Sequence, residues 1–178
     1  MSDQTPELEP LGARHAEAVE ELVRDPDTPR YTRIPEPPPA GFVLRWLAGY
    51  EAGRVDGTRE GFAIVDPAGA FLGLALAPSI EREAATAELG YVVAPAARSR
   101  GVATEALRRL TDWALAEGMV RLELRISTEN VASKRVALRC GYEHEGTLRS
   151  SYLKPGRRED TEIWSRLAPG VGDGDLAG

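Results

Sequence analysis

The chain has 178 residues, enough for one sizeable core, and its 28% charged and 42% hydrophobic residues are typical of a soluble globular protein. The formal net charge of −6 argues against general nucleic-acid binding and is compatible with a cationic substrate such as an amine. The sequence has no membrane-length apolar run, no signal-peptide pattern at its N-terminus and a single cysteine, Cys140. These features predict a protein of the reducing cytoplasm that does not contact a membrane.

Hydrophobic periodicity predicts the secondary structure along most of the chain. In chain order we expect a strand near Leu8–Leu11, helices over 13–24 and 41–53, strands over Phe62–Asp66, Phe71–Ala77 and 87–93, a helix ending at Gly118, a strand over Val120–Ile126, a helix opened by Asn130, and strands over Tyr142–Leu148 and Glu159–Leu167. Residues 25–40 are rich in proline, which stops helices, and predict a long loop. We expect one domain over residues 6–167 and a disordered tail over 168–178.

The order of these elements predicts a mixed α/β sheet, because antiparallel strands are followed by a strand–helix–strand crossover. The strand Val120–Ile126 fits this arrangement poorly. A central strand should be apolar throughout, yet its residues alternate between charged and apolar. Either one face of this strand is partly open, or the strand lies near an edge of the sheet.

A short basic turn between a strand and a helix predicts an anion site. The turn contains Arg98, Ser99, Arg100, Gly101, Val102, Ala103 and Thr104. Backbone N–H groups at a helix N-terminus lack intrahelical partners, and the helix dipole adds positive charge at the same place. We therefore expect phosphates to bind there. The alternative is a solvated arginine loop, since the chain contains neither the P-loop nor the dinucleotide-binding glycine pattern.

The motifs in residues 87–142 resemble those of the GNAT superfamily of N-acetyltransferases. Arg98, Gly101 and Ala103 match its phosphate motif Q/R-x-x-G-x-G/A, and the stretch from Asn130 to Ser133, followed by Gly141-Tyr142, matches a later segment. The sequence stretches ELGYVVAP, GVATEAL and ENVAS are most similar to those of the RimJ/RimL-type branch. The resemblance implies a mostly antiparallel sheet of six or seven strands with a splayed parallel pair and flanking helices.

The resemblance also implies acetyl-CoA as co-substrate, no metal, and direct acetyl transfer to an amine. The chain's two histidines fall in different predicted elements, which agrees with the absence of a metal. The implied acceptor is a protein N-terminal α-amine or a small amine. The residues expected to contact CoA are Tyr91, Val92, Val93, the turn of residues 98–104, Asn130 and Ser133. Helix capping alone would also explain Asn130.

Glu88 is the predicted general base, because it lies on the strand that lines the expected cleft, on the same face as Gly90 and Val92. A solvated carboxylate is the alternative interpretation. Many GNAT enzymes carry a tyrosine as proton donor to the thiolate at the position of Ala137. We therefore expect Ser133 to act as donor, with Tyr152 as second choice. Glu145 and Asp160 are either structural or substrate-facing.

The acceptor site is expected between the 25–40 loop, the second helix and the 153–160 turn, with Tyr31, Arg33 and Glu88 as contacts. The alternative function is a non-catalytic acyl-CoA-binding sensor, which the absent tyrosine favours, whereas Glu88 and the intact basic turn argue against it. An interaction domain without a ligand would leave that turn unexplained. The sequence sets neither the acceptor nor the oligomeric state, for which a homodimer is one option.

Overall fold

The fold is a seven-stranded sheet with helices on both faces. The computed structural model describes residues 5–171. The strands are β1 (Glu7–Pro10), β2 (Glu60–Val65), β3 (Phe71–Glu81), β4 (Thr86–Val93), β5 (Arg121–Ser127), β6 (Glu143–Lys154) and β7 (Arg157–Leu167). The helices are α1 (Ala16–Arg24), α2 (Thr28–Tyr31), α3 (Phe42–Asp56), α4 (Val102–Ala116) and α5 (Val131–Arg139). The strand order is β1-β2-β3-β4-β5-β7-β6, and the pair β4–β5 is parallel while the other pairs are antiparallel. The expected fold class is confirmed.

Two apolar clusters hold the helices against the sheet. On one face, α4 buries Ala106, Leu107, Leu110 and Ala114, as its periodicity predicts. On the other face, α1 and α3 bury a second set that contains Val19, Leu22, Val43 and Leu47. Successive residues of β2 alternate between the two clusters, because side chains of a strand point to opposite faces. The sheet is therefore covered on both sides over its centre.

The parallel strands β4 and β5 part midway along their length. They pair only from Thr86 to Leu89 on β4, opposite Arg121 to Leu124 on β5. Beyond Leu89, β4 continues to pair with β3 and β5 with β7, so a gap opens between them. Along β5, the apolar residues are buried while the alternate charged residues are more exposed. Since β5 lies inside the sheet, the open-face interpretation of its alternation is correct and the edge interpretation is wrong.

Three predicted boundaries differ from the structure. The 25–40 loop contains the single-turn helix α2, because Pro29 stands in the first turn, where a missing N–H costs no hydrogen bond. β3 continues past the predicted end at Ala77 to Glu81. β6 continues to Lys154 through an irregularity at which the Ser150 N–H donates to Asp160 Oδ1 at 2.8 Å.

The C-terminal region is described only as far as Val171. The Ala168 N–H donates to the Val120 carbonyl at 2.8 Å, and a turn follows. The rest of the predicted disordered tail, residues 172–178, lies outside the described residues. Within the part of the chain that the structure describes, none of the helices is long and apolar enough to span a bilayer. No group of three His, Cys, Asp or Glu side chains among the same residues is arranged to hold a metal ion.

Candidate functional site

The N-terminus of α4 has the geometry of an anion site. Gly101 precedes the helix in the left-handed conformation, with φ of 80°, and no side chain caps the helix start. A side chain added at Gly101 would meet no atom within 4 Å, so the space in front of the helix is open. The first N–H groups of α4 are therefore accessible to a ligand, as the sequence predicts for residues 98–104.

A cleft of about 520 Å³ lies at this helix end and is rich in arginine. Its lining includes Arg100, Arg108 and Arg139 together with Gly101, Val102 and Thr104. Glu105 also borders it and pairs with Arg109 at 3.0 Å. Three guanidinium groups beside uncapped helix N–H groups make a site suited to phosphates.

Sequence reasoning missed Arg108 and Arg139. Arg108 lies two turns after Gly101 on the same helix, so its spacing was a usable signal. Arg139 belongs to the last turn of α5 and reaches the cleft because that turn packs on α4. The contact is made by Cys140, whose buried thiol donates to the Thr104 carbonyl at 3.4 Å. Burial raises the pKa of this thiol, which agrees with a packed rather than a nucleophilic cysteine.

Arg98 is engaged elsewhere and does not line this cleft. Its guanidinium donates to the Asp25 carboxylate, to Asp27 Oδ2 at 3.2 Å and to the Val93 carbonyl at 3.2 Å. Burial alone would raise the pKa of Asp25, but hydrogen bonds from Arg98 and Thr28 outweigh it and lower this pKa. Two carboxylates thus already surround the charge of Arg98. In this structure the side chain ties the basic turn to the start of the 25–40 loop.

The residues of β4 beyond the pairing region line the gap between β4 and β5. Tyr91 and Val93 pack towards the α4 cluster, whereas Val92 packs towards the α1–α3 cluster. Gly90, the first residue after the pairing ends, has no atom within 4 Å of where a Cβ would stand. The gap therefore leaves backbone of β4 and open space side by side.

The hydroxyl of Tyr91 is buried. Among the side chains that the structure describes, its oxygen is the one buried polar atom for which no hydrogen-bond partner is found. Burial raises the pKa of Tyr91 to about 12, and the adjacent Ser133 acts in the opposite direction. An unsatisfied buried hydroxyl is costly, of the order of 1–3 kcal/mol. Such a group is commonly explained by a ligand, a water or a functional role.

The start of α5 places Asn130 and Ser133 close to this gap. Asn130 is the N-cap, and its Oδ1 accepts a hydrogen bond from the Ser133 N–H at 3.0 Å. The capping interpretation of Asn130 is confirmed. Ser133 is partly exposed and lies beside the Tyr91 hydroxyl, whereas Ala137, one turn further, is fully buried.

Glu88 lies at the meeting point of β4, β5 and the 25–40 loop. Its Oε1 is 3.2 Å from an Arg33 nitrogen and its Oε2 is 3.3 Å from Nε of Arg125. Its side chain is 18% exposed, so this is not the freely solvated carboxylate of the alternative interpretation. The structure brings together Arg33 and Glu88 from distant parts of the sequence. Tyr31, the third predicted acceptor contact, is 36% exposed beside Arg30 on the same loop.

A second cleft, of about 480 Å³, adjoins Arg33. It is lined by Thr32, Arg33, Ile34, Pro35 and Glu36 from the loop and by Tyr152, Leu153, Lys154 and Pro155 from the β6–β7 hairpin. Burial raises the pKa of Tyr152 to about 12. The ammonium of Lys154 donates to the backbone carbonyls of Pro29 and Thr32, and burial lowers its pKa. The loop and hairpin thus meet as expected for an acceptor site.

Glu145 and Asp160 hold structure rather than line either cleft. Arg121 donates to both oxygens of Glu145, at 2.9 and 2.6 Å, and the Ser165 hydroxyl donates to Oε1. These bonds lower the pKa of Glu145 to about 2. Asp160 accepts the Ser150 N–H at the irregularity in β6. The structural interpretation of both residues is therefore favoured.

Comparisons with known proteins agree with this architecture. Residues 7–143 match the model of the acetyltransferase (GNAT) domain family. Two Bacillus subtilis proteins are similar: the uncharacterized N-acetyltransferase YoaA, 32% identical over 84 residues, and the probable N-acetyltransferase YjcK, 33% identical over 85 residues. Each match covers 47% of this chain; the matched segment spans 48% of YoaA and 47% of YjcK, about half the length of each.

Solved structures share the fold over nearly the whole chain. RimL, a ribosomal L7/L12 alpha-N-protein acetyltransferase in complex with coenzyme A, superposes with a TM-score of 0.85 at 20% identity, covering 92% of this chain and 94% of its own. Spermidine N-acetyltransferase from Vibrio cholerae, in complex with CoA and spermine, gives 0.81 at 21% identity, covering 92% and 95%. At these identities the likeness shows a shared fold. With a family match that covers more than half of its length, the chain belongs to the GNAT acetyltransferase family.

Proposed function

We propose that this protein transfers the acetyl group of acetyl-CoA to a primary amine. The observation that carries the proposal is the uncapped start of α4, which opens on the arginine-lined cleft. A diphosphate suits uncapped N–H groups and nearby guanidinium groups, because each of its bonds there is charge-assisted. The residues present therefore fit CoA.

On the phosphate side, the N–H groups of Val102, Ala103 and Thr104 would bind the diphosphate. Arg100, Arg108 and Arg139 would neutralise the remaining negative charge of CoA. The backbone of Tyr91, Val92 and Val93 would bind the amide-bearing arm of CoA, because beyond Leu89 its β5-facing groups have no strand partner. CoA supplies the thioester from which the acetyl group departs.

On the transfer side, Glu88 would take a proton from the acceptor's ammonium, directly or through a water. The freed amine nitrogen then forms a bond to the thioester carbonyl carbon and gives up a second proton to water, the carbon–sulfur bond breaks, and the leaving sulfur takes a proton. Because Arg33 lies 3.2 Å from Glu88 Oε1, an ammonium that binds this oxygen competes with the guanidinium for it. A backbone N–H within Leu89–Val93 would polarise the carbonyl oxygen.

Ser133 is the donor that we propose for the leaving sulfur. Its hydroxyl lies beside the gap, and the unpartnered Tyr91 hydroxyl next to it can orient it through a hydrogen bond. Tyr152 remains the second choice, because it lines the cleft beside Arg33, on the acceptor side. The acceptor that we propose is a protein N-terminal α-amine or a small amine. The cytoplasm is the location that we propose for the reaction.

The test combines CoA binding with turnover. Calorimetry measures CoA affinity, and a thiol-release assay with acetyl-CoA measures turnover against small amines, polyamines and N-terminal peptides, with product masses confirming N-acetylation. We expect CoA binding and at least one acetylated amine. CoA binding without turnover of any amine would contradict the transferase proposal and favour the acyl-CoA sensor. Undetectable CoA binding would contradict both.

A further inference from the structure

The ion pair between Arg33 and Glu88 is the direct link between the 25–40 loop and the cleft strand. Arg33 is 57% exposed and Glu88 is 18% exposed, so the pair lies at an opening with its carboxylate on the inner side. The other oxygen of Glu88 faces Arg125 of β5. The carboxylate thus carries two guanidinium partners, one on a loop that borders a cleft and one on the sheet.

This arrangement imposes a charge requirement on any acceptor that reaches Glu88. A simple ammonium entering at Oε1 displaces Arg33 and leaves that guanidinium beside a second cation, with no new partner. An acceptor that carries both an ammonium and a carboxylate avoids this cost. Its ammonium takes the place of Arg33 on Glu88, and its carboxylate pairs with the released guanidinium.

The second cleft has the same bias. Arg33 borders it, and so does Lys154, whose ammonium bonds to the Pro29 and Thr32 carbonyls rather than to a carboxylate. Glu36 borders it as well, and its charge acts on Lys154. The remaining lining is largely apolar, with Ile34, Pro35, Leu153 and Pro155. Such a cleft suits an apolar body and is unfavourable for a chain of several cations.

We propose that the preferred acceptor is an amine that carries a carboxylate and an apolar side chain, and that Arg33 selects it by binding the carboxylate. This inference rests on the proposed acetyl transfer and specifies its substrate class. Two sources share this chemistry: a free α-amino acid, and a peptide N-terminus with an acidic second residue. Spermidine, the substrate in the name of the Vibrio cholerae enzyme, belongs to the class that the charges here disfavour.

The test is a matched acceptor series assayed with acetyl-CoA. L-leucine, leucinamide, isoamylamine and spermidine differ in carboxylate and charge, and the peptides Leu-Asp-amide and Leu-Asn-amide test the second source. We expect kcat/KM to be about 2–5-fold higher for leucine than for leucinamide, or for the aspartyl than for the asparaginyl peptide, because Arg33 is 57% exposed and solvent weakens its bond to a carboxylate. Which pair shows the difference identifies the source.

Variants connect the preference to Arg33. Arg33→Gln should abolish the preference, so that kcat/KM becomes about equal for the two acceptors of each pair. Arg24 is an exposed arginine paired with Glu20 on α1, and Arg24→Gln should leave the preference unchanged. Thermal denaturation checks that both variants fold. Three outcomes would overturn this inference and leave acetyl transfer standing. The first is equal turnover of leucine and leucinamide together with equal turnover of the two peptides. The others are a preference for spermidine and an unchanged preference in Arg33→Gln. Absence of turnover with every acceptor would overturn the transferase proposal and this inference with it.

Discussion

The two clefts are built in opposite ways. The phosphate cleft is formed mainly by one continuous segment, the 98–104 turn and α4, and its central groups are backbone N–H groups that any sequence with the right turn provides. The acceptor cleft joins residues 32–36 to residues 152–155, and side-chain charges define it. Since local backbone geometry is set by nearby residues, the first cleft depends mainly on one local segment, whereas the second depends on side chains from two segments that are distant in the sequence.

The two clefts also differ in how their charges are balanced. Arg100 and Arg139 border the phosphate cleft without an ion pair among the salt bridges of the described residues, so they are available to an incoming anion. In the acceptor region, Glu88 is already paired with Arg33 and Arg125. A ligand therefore adds to the first site but must exchange partners in the second. The following predictions are arranged to test this difference.

The largest effect is expected at Glu88. Glu88→Gln should lower kcat by about 10²–10⁴-fold, because a positioned base contributes that much, while CoA affinity stays unchanged. Steady-state kinetics and calorimetry measure the two quantities. Glu123, its neighbour on β5, is the matched control. Its side chain is 23% exposed, compared with 18% for Glu88, and it forms an ion pair with Arg121 at 2.9 Å. A wild-type kcat in Glu88→Gln would remove the base from this position.

Arg100 and Arg98 should separate binding from structure. Arg100→Glu should raise the Kd for CoA by about 10–100-fold, because a charge-assisted bond becomes a repulsion. Arg98→Glu should instead lower the melting temperature, since it opposes Asp25 and Asp27. Calorimetry and thermal denaturation distinguish the two variants. A larger loss of CoA affinity in Arg98→Glu than in Arg100→Glu would show that Arg98 binds the phosphates after all.

Gly101 and Gly118 lie at the two ends of α4 in the same conformation, with φ of 80° and 85°, and an added Cβ meets nothing within 4 Å at either. Replacing either by alanine should cost about 1–2 kcal/mol in free energy of unfolding, because the left-handed region is strained for alanine. Only Gly101→Ala should also weaken CoA binding, since its methyl group enters the phosphate cleft. Equal CoA affinity in the two variants would argue against ligand contact at this turn.

The smallest effect concerns acid stability outside both clefts. The pKa of Glu145 is lowered to about 2 by Arg121 and then by Ser165, so the folded state favours the ionised carboxylate. This stabilisation is present above the pKa of the unfolded chain and is lost as the pH falls from about 5 towards 2. Glu145→Gln should therefore lose less stability than the wild type over this interval in urea titrations. The side chain is 42% exposed, so the difference should be modest.

The sequence was sufficient for the parts of the molecule that depend on local pattern. The apolar face of α4, the Asn130 cap and the turn at Gly101 each follow from the preference of a few neighbouring residues. The mixed character of the sheet followed from the sequence of elements and the range of six or seven strands from the family resemblance, whereas the position of β7 between β5 and β6 was not predicted. Even the misfit of β5 was informative, because its alternation reports that one face of the strand packs on the α4 cluster while the other is partly open.

The partners of individual charges could not be predicted. Arg98 pairs with Asp25 and Asp27, more than seventy positions earlier, and the same spacing would equally allow it to face a phosphate. Arg139 reaches the phosphate cleft only because α5 packs on α4. Such pairings depend on how elements pack in three dimensions, and no periodicity along the chain encodes them.

Two basic side chains attach the 25–40 loop to the rest of the fold by hydrogen bonds. Arg98 grips Asp25 and Asp27 at its root, and Lys154 holds the carbonyls of Pro29 and Thr32 further along. Carbonyl oxygens are common to all amino acids, so the second attachment tolerates any residue at those positions that keeps the backbone path. Beyond it, Arg33 and Ile34 still contact Glu88 and the α1–α3 cluster, whereas Pro35 and Glu36 form a short tip beside the second cleft. Substitutions in this short tip are thus expected to change which acceptor binds in the second cleft and to leave the arginine-lined cleft at α4 unchanged.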